Sequence, residues 1–266
     1  MNDPTKYHPN MEFAMKDVPS LKGKVSDAEW QARVDLAACY RLVAQFGWDD
    51  MLSNHISVRV PDEPDKLLIN PYGILFNQVT ASCLIKADFY GKVETPTPFP
   101  INPTIFTIHG GVLDARKDVQ SVLHLHTNAG VGVSTQKHGL LPVTQRALYF
   151  KNMLAYHDYE GIALDEDERV SLGKAIGTDK WLVLLRNHGT LTLGTSVAQA
   201  FAYCYALERA CEYQLAAMTG GAELVTLSPE IIDTVSKQTG HFKFAGTLEW
   251  PALLHNLDKT DPSYKT

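Results

Sequence analysis

The eleven residues QSVLHLHTNAG, Gln120 to Gly130, put two histidines one residue apart at the end of an apolar run. On a β-strand, residues i and i+2 share a face with their Cα atoms about 6.5 Å apart. His124 and His126 then stand side by side, and Leu123 and Leu125 face the other way as anchors. Two imidazoles so placed can share one cation, and a catalytic zinc site generally takes a third protein ligand while leaving a position open. His188 is the best third donor, because WLVLLRNHG ends an apolar strand as SVLHLH does, and Gly189 lets the chain turn closely around an ion. The competing account of an HxH pair is two hydrogen-bonding strand histidines, and spacing alone leaves both accounts open. His109 lies beside Ile105 and Val112 at helical spacing and fits either a core position or a cleft. His55 and His157 read as turn-adjacent.

The chain that must position these residues has 266 of them, 45% apolar and 20% charged, which is globular composition with enough length to bury a core. A net charge of -6 gives no electrostatic footprint for nucleic acid or an anionic membrane. Cys39, Cys83, Cys204 and Cys211 are scattered without a CxxC pair, and Cys204 and Cys211, in an expected helix, read as small buried hydrophobes. MNDPTKYHPNMEF has neither a basic n-region nor an apolar h-region, and no apolar stretch is long enough to span a bilayer. A soluble, cytoplasmic protein with a small-molecule substrate is expected.

Residues 1–25 read as an N-terminal arm, 26–222 as one domain, and 223–266 as a tail packing on that domain or on a neighbouring subunit. SDAEW starts a helix with Ser26 as N-cap and Glu29 as capping-box partner, and Gly47 ends it. HISVRV, KLLINPYG and SCLIKADFYGK predict three strands; PTPFPINP is a rigid connector before a helix from Thr104 to Ala115. SVLHLH is a short strand, GVGVSTQKHG a helix, and LPVTQRALYF an extended or turning segment. KWLVLLRNHG and GTLTLG predict an antiparallel strand pair, followed by a long helix from Ser196 to Met218.

Several ordered motifs carry a family resemblance: SNHISVRV, NPYGILF, HLHT, YHDYEGIALDEDE, and RNHGTLTLG before the long helix. From about residue 30 to about residue 220 the chain resembles the class II aldolase and adducin N-terminal family, and its phrasing is closer to the adducin-like branch. The resemblance implies an α/β fold, a three-layer α/β/α sandwich around a mainly antiparallel sheet, assembled as a homotetramer with active sites near subunit interfaces. It also implies a divalent metal, zinc or alternatively manganese, held by the residues matching His124, His126 and His188. Such a metal acts as a Lewis acid that stabilises the enediolate formed when a C–C bond breaks.

Two departures bear on substrate and mechanism. Where the aldolases have proline, two serines and an acid/base glutamate, this chain has Pro103, Thr104, Ile105 and Phe106. Their Gly-Asn and Thr-Gly phosphate-binding turns read Asn54-His55 and Tyr72-Gly73. These changes remove small polar groups that a dianionic phosphate needs, so a non-phosphorylated substrate is expected, with an apolar slot at Phe106 and Tyr72 suited to an aromatic one. Without the glutamate, proton transfer falls to His109, Tyr149, Tyr156 or Tyr159, with Arg146 able to lower a tyrosine pKa. Asn54 and Tyr72 are placed to orient substrate. Retro-aldol cleavage is the preferred reaction. The alternatives are decarboxylation of a hydroxylated acid, dehydration or epimerisation on the same metal, and an adducin-like scaffold without chemistry.

Overall fold

The structure is a computed structural model and describes residues 18–94, 97, 99–163, 166–239 and 244–266. Most of the expected N-terminal arm, along with Pro96 and Pro98 of the connector, lies outside the described residues. Helix α1 (Asp27–Gln45) starts as expected, with the Ser26 hydroxyl accepting from Glu29 N at 3.1 Å, and ends before Gly47 at φ +69°. The reciprocal half of the capping box is replaced by an ion pair. The Glu29 carboxylate, buried under the helix, bridges Arg33 at 2.8 Å and Lys86 at 2.9 Å.

Strands β1 (His55–Val60), β2 (Glu63–Ile69) and β3 (Ile85–Asp88) form an antiparallel meander. A π-helical turn over Phe106–Gly110 then runs into the short helix α2 (Gly111–Ala115), where continuous helical spacing predicts one regular helix. The extra residue of a π-turn disturbs the backbone hydrogen-bond ladder. Here Arg169 compensates, donating to the carbonyls of Phe106 at 3.0 Å, Gly110 at 3.3 Å and Phe89 at 2.9 Å. Strand β4 (Ser121–Leu125) follows, then α3 (Asn128–Ser134). The LPVTQRALYF segment contains a one-turn helix, α4 (Gln145–Leu148), because the Thr144 hydroxyl caps it by accepting from Ala147 N. Next come β5 (Leu154–His157), α5 (Glu166–Ile176), β6 (Leu182–Leu185), β7 (Gly189–Gly194) and the long α6 (Val197–Met218). The last segment holds α7 (Pro229–Gln238) and α8 (Glu249–Thr260).

The seven strands pair in the order β3-β2-β1-β4-β7-β6-β5, antiparallel throughout except for the parallel β5–β6 pair. Helices flank both faces, which is why β1, β4, β6 and β7 are buried along their whole length. Along β6, Leu182 and Leu184 pack with Ala129, Val133 and Leu207, whereas Val183 and Leu185 join the larger core with Leu172 and Ile176. Leu123 and Leu125 are buried at 1% and 0% exposure, each burial worth about 1.5–3 kcal/mol. They hold β4 at the centre of the sheet. The last residues dock on the same chain: Tyr264 is buried, its carbonyl accepts from Ala81 N, and Arg41 pairs with Asp261 at 2.8 Å.

Candidate metal centre

β4 ends where the sheet stops, so His124 is its fourth residue and His126 projects just beyond it. His188 arrives from the other side, in the tight connection between β6 and β7. Asn187 takes a left-handed conformation at φ +57°, and the His188 N–H donates to Leu185 O at 3.1 Å. Gly189 is required by close approach: a Cβ there would lie 2.5 Å from Leu125 O and 3.0 Å from the His126 ring. The residue after His126, Thr127, caps α3 by accepting from Gly130 N and donates its own proton to the buried Glu208 of α6 at 2.5 Å.

The three imidazoles converge. Ring centroids are 4.7 Å apart for His124–His126 and His124–His188, and 4.9 Å for His126–His188. One ring nitrogen from each lies within 4.8 Å of the others, and this cluster is capable of coordinating a divalent metal. Hydrogen bonds fix which nitrogens are offered. His124 Nδ1 donates to Thr190 O at 3.0 Å, and His126 Nδ1 faces Asp50 Oδ2 at 3.3 Å. With Nδ1 as its donor, His124 offers the Nε2 lone pair, which faces His126 Nε2 at 2.9 Å. A second ring nitrogen bonded to a carbonyl or carboxylate is the usual support of a ligating histidine. Burial, with adjacent imidazoles adding to it, holds His124 well below the ordinary histidine range and His188 down at about 4. Both are neutral and ligand-competent near neutrality.

The cluster opens into a cleft of about 810 Å³ lined on one side by Asp50, Ser53 and Tyr72 and on another by Asn102, Thr104 and Tyr159. No lysine or arginine lines it among the described residues. His55, which sequence spacing left as a turn residue, is the first residue of β1 and pairs in register with His124. Its Nδ1 meets His109 Nε2 at 2.7 Å, and His109 Nδ1 meets Ser57 Oγ at 2.6 Å. Burial first, then neighbouring imidazoles, keeps both rings well below the ordinary range, so both are neutral.

The residues expected from sequence divide. Tyr72 and Tyr159 line the cleft, the Tyr159 ring 6.2 Å from that of His188. Asn54 is buried just beneath, its Oδ1 accepting from Asp50 N at 2.7 Å, while its Nδ2 is buried without a partner. His109 lies wholly buried behind His55. Phe106 does not line the cleft: its ring packs over Gly91, and of the pair expected to form an apolar slot only Tyr72 lines it. Tyr156 lies under the Arg186 guanidinium at 4.3 Å with its hydroxyl accepting from Leu140 N. Tyr149 stacks beneath Arg146 at 5.8 Å, and Arg146 lines a separate groove with Phe46 and Phe201. Within one chain, Tyr149, Tyr156 and Arg146 are not among the residues lining the histidine cleft. Asp50, His55, Asn102 and Thr104 are among the polar cleft residues that the expected site did not include. The one sequence signal was the period-two pair His55 and Ser57 in HISVRV.

A family profile described as Class II Aldolase and Adducin N-terminal domain matches residues 34–215. The chain belongs to this family. An aldolase class 2 protein of Caulobacter vibrioides, whose name gives a family and no substrate, is 52% identical over 247 residues, covering 92% of this chain and 96% of that protein. The crystal structure of an aldolase II superfamily protein from Pseudomonas syringae superposes with a TM-score of 0.88 at 44% identity, covering 93% of this chain and all of that one. The L-fuculose 1-phosphate aldolase from Glaciozyma antarctica shares the fold, with a TM-score of 0.78 at 24% identity over 93% of this chain and 95% of that one. The class II aldolase-type histidine triad and fold fit a metal-assisted lyase in general terms.

Proposed function

We propose that the chain is a divalent-metal-dependent carbon–carbon lyase that performs retro-aldol cleavage of a non-phosphorylated hydroxy-carbonyl substrate. The carrying observation is the convergence of His124, His126 and His188 at the floor of a cleft without cationic side chains among the described residues. The three imidazoles would hold the ion, and their soft-to-borderline nitrogen donors favour zinc over manganese. When bound, the ion supplies Lewis-acid stabilisation of the negative charge that develops on the substrate oxygen.

The remaining work falls to side chains of this chain. Asp50 fixes the tautomer of His126, and Thr190 O fixes that of His124. Tyr72 and the Asn54 loop orient the substrate. Of the four groups considered for proton transfer, Tyr159 lines the cleft and takes the role of moving the hydroxyl proton as the C–C bond breaks. A phosphate dianion would find no guanidinium or ammonium partner on these walls, which favours a substrate of lower charge. Ile162 at the mouth of the cleft is 72% exposed, and the proposed homotetramer would cover this rim. Among the described residues no helix is long and apolar enough to cross a membrane, in keeping with a cytoplasmic site of action.

The test is aldehyde release from a panel of hydroxy ketones and hydroxy acids, each with and without a phosphate ester. Zinc-dependent aldehyde release from non-phosphorylated members is expected, and Tyr159→Phe should lower its rate by about 100-fold. Release of CO₂ without aldehyde would reassign the site to decarboxylation, and activity confined to phosphate esters would contradict the substrate reading.

A further inference from the structure

The hydrogen bonds running from Ser57 to Asn102 have only one possible direction. The backbone N–H of Thr104 donates to the Asn102 side-chain oxygen at 3.1 Å, so that atom is an acceptor. The Thr104 hydroxyl lies 2.8 Å from the same oxygen and must spend its single proton there. In the 3.2 Å contact between Thr104 Oγ1 and His55 Nε2, the imidazole is therefore the donor. A neutral His55 then accepts at Nδ1, so His109 Nε2, 2.7 Å away, donates to it. His109 Nδ1 in turn accepts from the Ser57 hydroxyl at 2.6 Å. Each hydroxyl proton and each imidazole nitrogen in the chain has one role, and the roles are dictated from the cleft end inward.

One group is left over. The Asn102 amide nitrogen has two protons and no hydrogen bond to the described residues, and it is not among the buried polar atoms lacking a partner, where Asn54 Nδ2 stands alone. Asn102 lines the same cleft as the triad, which leaves its amide N–H as the donor available there. We propose that Ser57, His109, His55, Thr104 and Asn102 form a polarised chain that presents the Asn102 amide N–H as the donor selecting a carbonyl or carboxylate oxygen of the substrate. Asn102 is thereby a specificity determinant, and His109 a positioning residue that acts through His55 and Thr104. The proposal rests on the cleft being the substrate site of the lyase described above.

Long-range ¹H–¹⁵N correlation on histidine-labelled protein reads the chain directly. Both His55 and His109 should be neutral and protonated at Nε2; a proton on Nδ1 of either ring overturns the chain whether or not zinc binds. The same signals then follow a titration of the zinc-loaded protein with hydroxyacetone, a neutral hydroxy ketone. Asn102→Asp keeps the acceptor for Thr104 and removes the donor, and should weaken hydroxyacetone by about tenfold with zinc content unchanged. His109→Gln can still accept from Ser57 and donate to His55, so it should stay within about twofold of the parent, whereas His109→Phe should not. Unchanged hydroxyacetone affinity in zinc-loaded Asn102→Asp overturns the role of Asn102. Failure of the parent protein to hold zinc defeats the lyase reading and leaves the tautomers to judge the chain.

Discussion

Replacing Gly189 by alanine adds one methyl group at the place where the metal centre is most tightly built. The new Cβ would lie 2.5 Å from Leu125 O, where ordinary contact begins at 3.4 Å, so β4 and β7 must separate locally by roughly 1 Å. The obstacle is a backbone carbonyl and not the tip of a flexible side chain, so rotamer changes cannot relieve it. Forcing a filled site open costs about 1–3 kcal/mol. The strain falls between His126, one residue past Leu125, and His188, one residue before the glycine, so the ligand set spreads as the strands part. A ligand set held off its geometry loses about 10–100-fold in metal affinity, by analogy with the loss of supporting partners. Under saturating metal that removes about 1.4–2.7 kcal/mol more of the metal's stabilisation. Urea unfolding of Gly189→Ala with and without zinc separates the two effects. The expected result is a lower midpoint in both conditions, with a larger deficit when zinc is present. An alanine variant whose zinc affinity and metal-free midpoint both match the parent would refute the close-approach reasoning.

Two further outcomes follow from the surroundings of the triad. Asp50→Ala removes the partner of His126 Nδ1 without touching a ligand atom, so zinc affinity measured by chelator competition should fall about 10–100-fold, while the metal-free protein unfolds as the parent does. Acidification should destabilise the metal-free fold between the ordinary histidine value of 6.5 and about 4, the folded value at His188. Over that window the unfolded chain binds protons that the folded one refuses, so stability falls as pH falls. His55, His109 and His124 act in the same direction because burial depresses each of them, and urea midpoints that stay flat from pH 7 to pH 4 would contradict this.

What could be read from the sequence follows how local each feature is. The HxH pair and NHG at a strand end were legible because strand period and strand end are properties of a few consecutive residues. The antiparallel β6–β7 pair and α6 were legible for the same reason. His55 was not, because its partner His124 is on a strand that reaches β1 only after the chain has made β2 and β3. Register between such strands leaves no mark on local spacing. The π-turn at Phe106–Gly110 shares its apolar spacing with a regular helix, and the arginine that stabilises it comes from α5, about sixty residues on. That turn aims His109 at His55. Tyr149 and Tyr156 are near the family motifs in sequence, but within one chain neither lines the histidine cleft, because α4 and β5 carry them elsewhere. Asp50 sits on a loop whose geometry depends on a buried Asn54.

Three imidazoles, those of His124, His126 and His188, converge to hold one divalent ion. Elemental analysis of protein purified without chelators, beside His124→Ala prepared in parallel, tests it most directly. Close to one equivalent of divalent metal per chain is expected in the parent, and loss of that metal in the variant. Less than about a tenth of an equivalent in the parent, or normal metal binding by His124→Ala, would contradict it.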